Sequence, residues 1–288
     1  MNEALAGWGK IGDYLSLSKP KTLLLHLPIV AAASVLATGA LAFSSTLFAV
    51  ILGGGLLAGS ANALNCYCDR DVDATMPRTK NRAIPSGRIN ASSALRYGTL
   101  LGIIGFIILW ISTGLGVSAL ALVGFFSYVV IYTQWLKRRT FFSSIVGSLA
   151  GAMPPVVTWV AITGSLTTTP LLLATVVILW TPPHYWALAL HRRSEYEHSE
   201  ISALPNKHTA SWLLFFSASL IFSSSAMGKF IGLGSWYYLI VVPAGIAFLY
   251  MVGMTLRNPL ENSRLLFRYS ILYLILIFVA LIIGRIVQ

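Results

Sequence analysis

Asn65, Asp69 and Asp73 stand four residues apart at the end of an apolar stretch, within N-C-Y-C-D-R-D-V-D. A step of four at about 100° per residue returns to nearly the same helix face, so the three side chains form one stripe. A second acidic group, Glu195, Glu197 and Glu200, closes a later apolar stretch. The chain has only nine carboxylate side chains, and six of them lie in these two places. Acidic clusters where apolar helices meet water suit divalent cations of the Mg²⁺ type. Such hard cations take oxygen ligands and share them with a substrate phosphate. The chemistry indicated is that of an enzyme acting on a phosphate-bearing lipid.

Cationic side chains surround the first cluster in sequence. Arg78, Lys80 and Arg82 follow it, Lys137 lies on another loop, and Lys19 and Lys21 precede the first apolar stretch. With a metal at Asn65, Asp69 and Asp73, these cations would stabilise the charge that grows on a departing diphosphate. The bland alternative is that they anchor loops to anionic lipid, and it is the preferred reading for Arg138, Arg139, Arg257, Arg264 and Arg268. Asp71, two residues from Asp69, points off the stripe and is expected to pair with a loop arginine. Glu197 and Glu200 share a face if their helix continues, and Glu195 shares it with neither. Spacing therefore leaves the ligand of the second cluster open. His26 and His184 fall inside apolar stretches, where a histidine is more often a satisfied core residue than a ligand. Tyr132, Trp135, Trp180, Tyr185 and Trp186 fall near the ends of stretches, as an aromatic interface belt would. Cys66 and Cys68 lack further Cys or His nearby and read as small fillers beside the stripe.

The elements that position these groups are membrane helices. Of 288 residues, 56% are hydrophobic and 10% charged, and mean hydropathy is +0.76. A soluble domain would carry about a quarter charged residues. Spans of roughly 20 apolar residues are expected at about 23–43, 47–67, 94–112, 116–135, 141–162, 170–190, 212–232, 236–256 and 265–285. The fold class is therefore all-α, a polytopic bundle of nine transmembrane helices in one domain, 1–288. No cleavage-site pattern precedes the first span, so no signal peptide is expected. The net charge of +11 is a matter of topology rather than of nucleic acid. All basic residues except Lys229 and Arg285 fall on one side, which the positive-inside rule makes cytoplasmic, together with the N-terminus. Pro154-Pro155 and Pro182-Pro183 should kink or break the fifth and sixth spans. The two acidic loops lie four spans apart, which hints at an internal duplication.

N-C-Y-C-D-R-D-V-D followed by T-K-N-R-A-I-P-S-G resembles the first aspartate-rich motif of the UbiA-type intramembrane prenyltransferases. Among them the chain is similar to the protoheme IX farnesyltransferases (haem O synthases). The likeness extends through S-K-P-K-T, I-Y-T-Q-W-L-K-R-R-T, G-S-L-A-G-A-M-P-P-V and L-W-T-P-P-H-Y-W-A-L-A-L, from about 18 to 205. It implies nine helices around a central cavity, with the two acidic motifs facing each other at its cytoplasmic end. It implies Mg²⁺ as cofactor and farnesyl diphosphate and haem B as substrates. The metal set would be Asn65, Asp69 and Asp73, with Glu195 where the family usually has aspartate and Glu200 as a further candidate.

Asp69, Asp73, Arg78 and Lys80 would carry catalysis. Asn65, Arg82, Lys19, Lys21, Tyr132, Lys137, His184 and Tyr196 would contact substrate. The resemblance places the enzyme in a bacterial inner membrane, upstream of a haem A synthase or terminal oxidase. The second motif departs from the family pattern: E-Y-E-H-S-E-I-S-A-L-P-N-K-H stands where D-Y-x-x-A-x-x-P-M-L-P-V is usual. Rival readings are the same chemistry on a quinone precursor or a chlorophyll-like macrocycle, a transporter, and a non-catalytic oxidase assembly factor. The near absence of charge within the spans argues against a transporter.

Overall fold

The computed structural model describes residues 2–40, 42–197, 201, 202 and 208–287, with side chains from Gly9 onward. Nine helices among the described residues are long and apolar enough to cross a membrane. A short helix, α1 (Asn2–Leu17), precedes them. The spans are α2 (Pro20–Thr38), α3 (Ser45–Cys68), α5 (Ala91–Thr113), α6 (Leu115–Leu136), α7 (Ser143–Thr163), α8 (Thr168–His191), α10 (Thr209–Ile231), α11 (Ser235–Arg257) and α12 (Pro259–Ile286). Two short helices, α4 (Arg70–Thr75) and α9 (Arg193–Glu197), follow α3 and α8 at one end of the bundle. The chain is a multi-pass membrane protein. Large exposed side chains such as Ile111, Phe222, Phe230 and Ile246 lie on span faces, where lipid rather than water is the neighbour.

The neighbours repeat with an offset of four spans. α3 packs on α5, α5 on α6 and α6 on α7; correspondingly α8 packs on α10, α10 on α11 and α11 on α12. α2 lies against both α7 and α12, and so joins the two groups. Consecutive spans pack throughout, α7 on α8 included, so these contacts follow the chain order and leave the duplication hinted at by the two acidic loops untested. The largest core gathers α2, α7, α8 and α10–α12 around Trp186, which stacks on Phe141 at 4.6 Å between ring centroids. In lipid there is no hydrophobic drive between helices, so close approach of small residues does much of the packing. α3 and α5 meet in this way at Gly53 and Gly105.

Several local features differ from the hydropathy reading. The first span ends at Thr38 rather than near 43, because Gly39 caps it with φ of 78°. The apolar residues beyond Gly39 hide this stop. The last span begins earlier than expected, at Pro259, which sits at the helix start where its missing N–H costs nothing. Pro154-Pro155 and Pro182-Pro183 do not break their spans: α7 and α8 run unbroken through them. Conversely, α2 is interrupted at Leu25–His26, between a first turn over Pro20–Leu24 and the helix Leu27–Thr38. Two spans also carry π-helical segments, Val50–Gly54 in α3 and Ser127–Leu136 at the end of α6.

The α3–α5 contact gives a test. A Cβ on Gly105 would stand 2.7 Å from the Gly53 carbonyl oxygen and 2.8 Å from the Leu57 nitrogen, both backbone atoms. Gly105→Ala should therefore lower stability by about 1–3 kcal/mol, read as a lower thermal midpoint in detergent. Gly116→Ala, whose Cβ would meet nothing within 4 Å, should be neutral or slightly stabilising.

Candidate active site

The acidic stripe sits where α3 gives way to α4. The helix breaks at Asp69, with φ −90° and ψ 4°, but the four-residue step survives the break. The Asp69 N–H donates to the Asn65 carbonyl at 2.9 Å, and the Asp73 N–H to the Asp69 carbonyl at 2.7 Å. Asn65, Asp69 and Asp73 are all buried, at 3%, 3% and 5% exposure. Two buried carboxylates need compensating charge, and each side chain of the stripe holds one cation from another segment. Lys19 Nζ donates to Asn65 Oδ1 at 2.8 Å, Lys137 Nζ to Asp69 Oδ2 at 2.5 Å, and Arg82 Nη1 to Asp73 Oδ2 at 2.7 Å. Asn65 Nδ2 donates to Asp69 Oδ2 at 2.8 Å and to Thr133 Oγ1 at 3.1 Å. The Asn65 amide is thereby oriented by chemistry, since an ammonium only donates and a carboxylate only accepts.

Three local structures aim these cations. Lys19 has φ 51° and ψ 60°, the single left-handed non-glycine residue among those described. The conformation is costly for a side-chain-bearing residue, and the following Pro20 restricts Lys19 further. It is held by α3, whose Asn62 Nδ2 donates to the Ser18 carbonyl at 3.1 Å. Ser18 Oγ in turn lies 3.0 Å from the Tyr97 hydroxyl on α5. Burial pushes the Lys19 pKa below its ordinary value.

Lys137 is placed by the π-helical end of α6, where the Lys137 N–H bonds to the Tyr132 carbonyl five residues back at 2.9 Å. An extra residue per turn re-aims the final side chains, a use of π segments that recurs at functional sites. On this segment Tyr128 stacks on Tyr132 at 5.5 Å, and Lys137 Nζ lies 5.9 Å above the Tyr132 ring. Arg82 is placed by the folded loop after α4, which Thr79 closes by donating through Oγ1 to the Asp73 carbonyl at 2.9 Å.

The other site residues sort by position. Arg78 joins Lys19, Arg82 and Arg88 around a half-open cavity of about 290 Å³ next to the stripe. Lys80 and Lys21 are exposed and form no ion pair among the described residues. Asp71 turns outward, as its place off the stripe implied, and is clamped by Arg138 through contacts of 2.8 and 2.7 Å. Arg138 thus holds an acid and is not simply a lipid anchor; this hydrogen-bonded pairing holds the Asp71 carboxyl below its usual pKa. His184 is packed between the Trp180 and Phe267 rings, at 4.4 and 4.6 Å, with Nδ1 2.7 Å from Ser270 Oγ.

In the second motif, Glu195 Oε1 accepts from Arg192 Nη1 at 2.8 Å, while Glu195 Oε2 is buried and has no partner among the described residues. Glu197 is exposed and pairs with Arg193. Tyr196 is buried with Val72, Met76 and Ile201, so it ties the second motif to α4. Ser202 extends the tie to the end of α6, donating through N to the Lys137 carbonyl at 3.2 Å and through Oγ to the Arg138 carbonyl at 3.1 Å. Glu200, a metal candidate from sequence, lies outside the described residues.

The proposed metal residues do not form a closed cage. Among the described residues no three His, Cys, Asp or Glu side chains converge on one point. The donor set nevertheless fits a hard divalent ion that shares its coordination with phosphate. Asn65, Asp69, Asp73 and Glu195 offer oxygen, and Glu195 Oε2 is a buried acceptor with no donor among the described residues. Sequence reasoning missed Asn62, Thr79 and Thr133, which position the stripe and its cations. Only the N-A-L-N spacing of Asn62 and Asn65 gave any hint of this.

Residues 26–283 match the UbiA prenyltransferase family. A protoheme IX farnesyltransferase of Roseiflexus castenholzii is 40% identical over 280 residues, covering 95% of this chain and 52% of the relative. The chain thus spans about half the length of that relative. The protoheme IX farnesyltransferase of Saccharophagus degradans is 38% identical, covering 99% of this chain and 94% of its own. The solved structure of a UbiA homologue from Archaeoglobus fulgidus, bound to DMAPP and Mg²⁺, superposes with a TM-score of 0.68. It covers 93% of this chain and 99% of that one at 15% identity, which speaks to the fold alone. The chain belongs to the UbiA prenyltransferase family.

Proposed function

We propose that the protein transfers a farnesyl group from farnesyl diphosphate to a vinyl group of haem B, giving haem O. The observation that carries the reading is the buried Asn65–Asp69–Asp73 stripe with Lys19, Lys137 and Arg82 around it, at one end of an apolar bundle. The names of the relatives and the Mg²⁺ and DMAPP of the Archaeoglobus structure support it. The site end is assigned to the cytoplasmic side of a bacterial inner membrane by the basic residues that cluster there. A haem A synthase or a terminal oxidase is the proposed consumer of the product.

The chemistry that bound Mg²⁺ supplies is neutralisation of diphosphate oxygens, which makes the diphosphate a better leaving group. Asn65, Asp69 and Asp73, with Glu195 from the second motif, would hold it. Lys19, Lys137, Arg78 and Arg82 provide the remaining positive charge for the anion that forms as the allylic C–O bond breaks. The electron pair leaves with the diphosphate. The stacked Tyr128 and Tyr132 rings, close to Lys137, would offer π faces to the cationic carbon. The vinyl group attacks that carbon; water then adds to the cation left next to the porphyrin and gives up a proton. No side-chain nucleophile is required, and the apolar bundle delays capture of the first cation by water.

The deciding experiment uses purified protein with haem B, farnesyl diphosphate and Mg²⁺. Haem O should appear on chromatography with release of diphosphate. Transfer to a quinone precursor with none to haem would replace the acceptor, and no transfer at all would favour the assembly-factor reading.

Asp69→Ala and Asp73→Ala should abolish turnover in protein that still inserts and folds. Asp71→Ala, which removes an exposed clamp with Arg138, should be far milder. Near-normal activity of either stripe variant at limiting Mg²⁺ would remove the metal assignment.

The second motif yields a sharper ranking. Glu195→Gln should raise the Mg²⁺ requirement and slow turnover strongly, while Glu195→Asp is tolerated. Glu197→Gln, at an exposed site paired with Arg193, should cost less than about tenfold, or about 1.4 kcal/mol of barrier. Steady-state kinetics across a Mg²⁺ titration reads this order, and an active Glu195→Gln enzyme would contradict it.

A further inference from the structure

Each side chain of the acidic stripe is already occupied by a cation of the protein. Lys19 Nζ lies 2.8 Å from Asn65 Oδ1, Lys137 Nζ 2.5 Å from Asp69 Oδ2, and Arg82 Nη1 2.7 Å from Asp73 Oδ2. A Mg²⁺ ion would sit about 2.0–2.1 Å from a ligand oxygen. It cannot share the face of Asn65 Oδ1, Asp69 Oδ2 or Asp73 Oδ2 that a cation holds at hydrogen-bond distance, and at the second oxygens of Asp69 and Asp73 it would still meet the repulsion of those cations in a poorly screened place. Charge counting gives the same direction. Two carboxylates face three cations, so the substrate-free stripe carries one positive charge in excess. A dication added alone makes that excess larger. A diphosphate added alone is drawn to the three cations, and a diphosphate with its metal lets both signs pair.

The geometry points to Lys19, Lys137 and Arg82 as exchangeable counter-ions that keep divalent metal off the stripe until a diphosphate arrives. On arrival each cation turns from a stripe oxygen to a phosphate oxygen, and the vacated oxygens take the metal. The cavity of about 290 Å³ beside the stripe, lined by Lys19 and Arg82 together with Arg78 and Arg88, is where two of the three can turn. All three come from segments outside α3: the left-handed turn before α2, the π-helical end of α6, and the loop after α4. Their movement therefore does not require the stripe itself to move. The inference rests on the metal–diphosphate reading above and adds an order to it: metal and diphosphate bind together, and metal alone binds weakly.

The test is equilibrium dialysis of Mn²⁺ against the purified full chain, with and without inorganic pyrophosphate. Wild-type protein should bind Mn²⁺ at least tenfold more weakly without pyrophosphate than with it. Lys137→Met should bind Mn²⁺ without pyrophosphate at least tenfold more tightly than wild type, and Lys137→Arg should behave like wild type. Asp69→Asn serves as the control for pyrophosphate-bound Mn²⁺ held elsewhere. If Lys137→Met does not give folded protein by size exclusion, Arg82→Met carries the same comparison at Asp73. Wild-type uptake of Mn²⁺ that is unchanged by pyrophosphate, or a folded Lys137→Met or Arg82→Met protein with no gain, would overturn the exchange and leave the proposed function standing. Absence of Asp69-dependent Mn²⁺ binding even with pyrophosphate would overturn both.

Discussion

Two carboxylates buried at the end of an apolar bundle constrain the rest of this structure. Removing ionised groups from water costs several kcal/mol each unless an opposite charge and hydrogen bonds compensate. Asp69 and Asp73 receive that compensation from Lys137 and Arg82, and Asn65 links the stripe to Lys19. The cations come from different connections, so the stripe draws the turn before α2, the end of α6 and the loop after α4 to one place. The polar chemistry and the closure of the bundle end are the same set of contacts.

That requirement accounts for the irregular backbone nearby. The left-handed Lys19 is a costly conformation that persists because Asn62, Tyr97 and Asn65 hold the residues around it. The π-helical end of α6 is a departure from the α-helix that turns Lys137 toward Asp69. The break at Asp69 separates α3 from α4 while keeping the four-residue step. The second motif joins through Tyr196 and Ser202, so the loops of the two acidic motifs pack on one another. Elsewhere, as at Gly53 and Gly105, the spans meet through small residues and no charge.

The spans and the acidic stripe were legible in the sequence because both are periodic and local. Nine apolar runs and three polar residues at a spacing of four need no long-range knowledge. Asp71 was legible for the same reason, since two residues from Asp69 is the wrong face. What could not be read was which cation meets which acid. Lys19 and Lys21 look alike in sequence, and only the turn at Lys19 separates the half-buried partner of Asn65 from its exposed neighbour. Arg82 and Lys80 likewise differ by the folding of one loop. The proline pairs do not break their spans, because a membrane helix can continue through them when neighbouring groups accommodate the freed carbonyls. The interruption at Leu25–His26 stands just before Pro28, which occupies the first turn of the helix Leu27–Thr38 and has no N–H to continue the ladder from Leu24.

On the proposed function, Asn65, Asp69 and Asp73 hold a divalent metal together with a prenyl diphosphate. Anomalous scattering from crystals grown with Mn²⁺ and a non-hydrolysable farnesyl diphosphate analogue tests it most directly. A manganese peak bounded by Asp69, Asp73 and the analogue's phosphates is expected, with Lys137 and Arg82 turned onto phosphate oxygens. Analogue bound with its phosphates away from the stripe, and Asp69 and Asp73 still paired with Lys137 and Arg82, would contradict it.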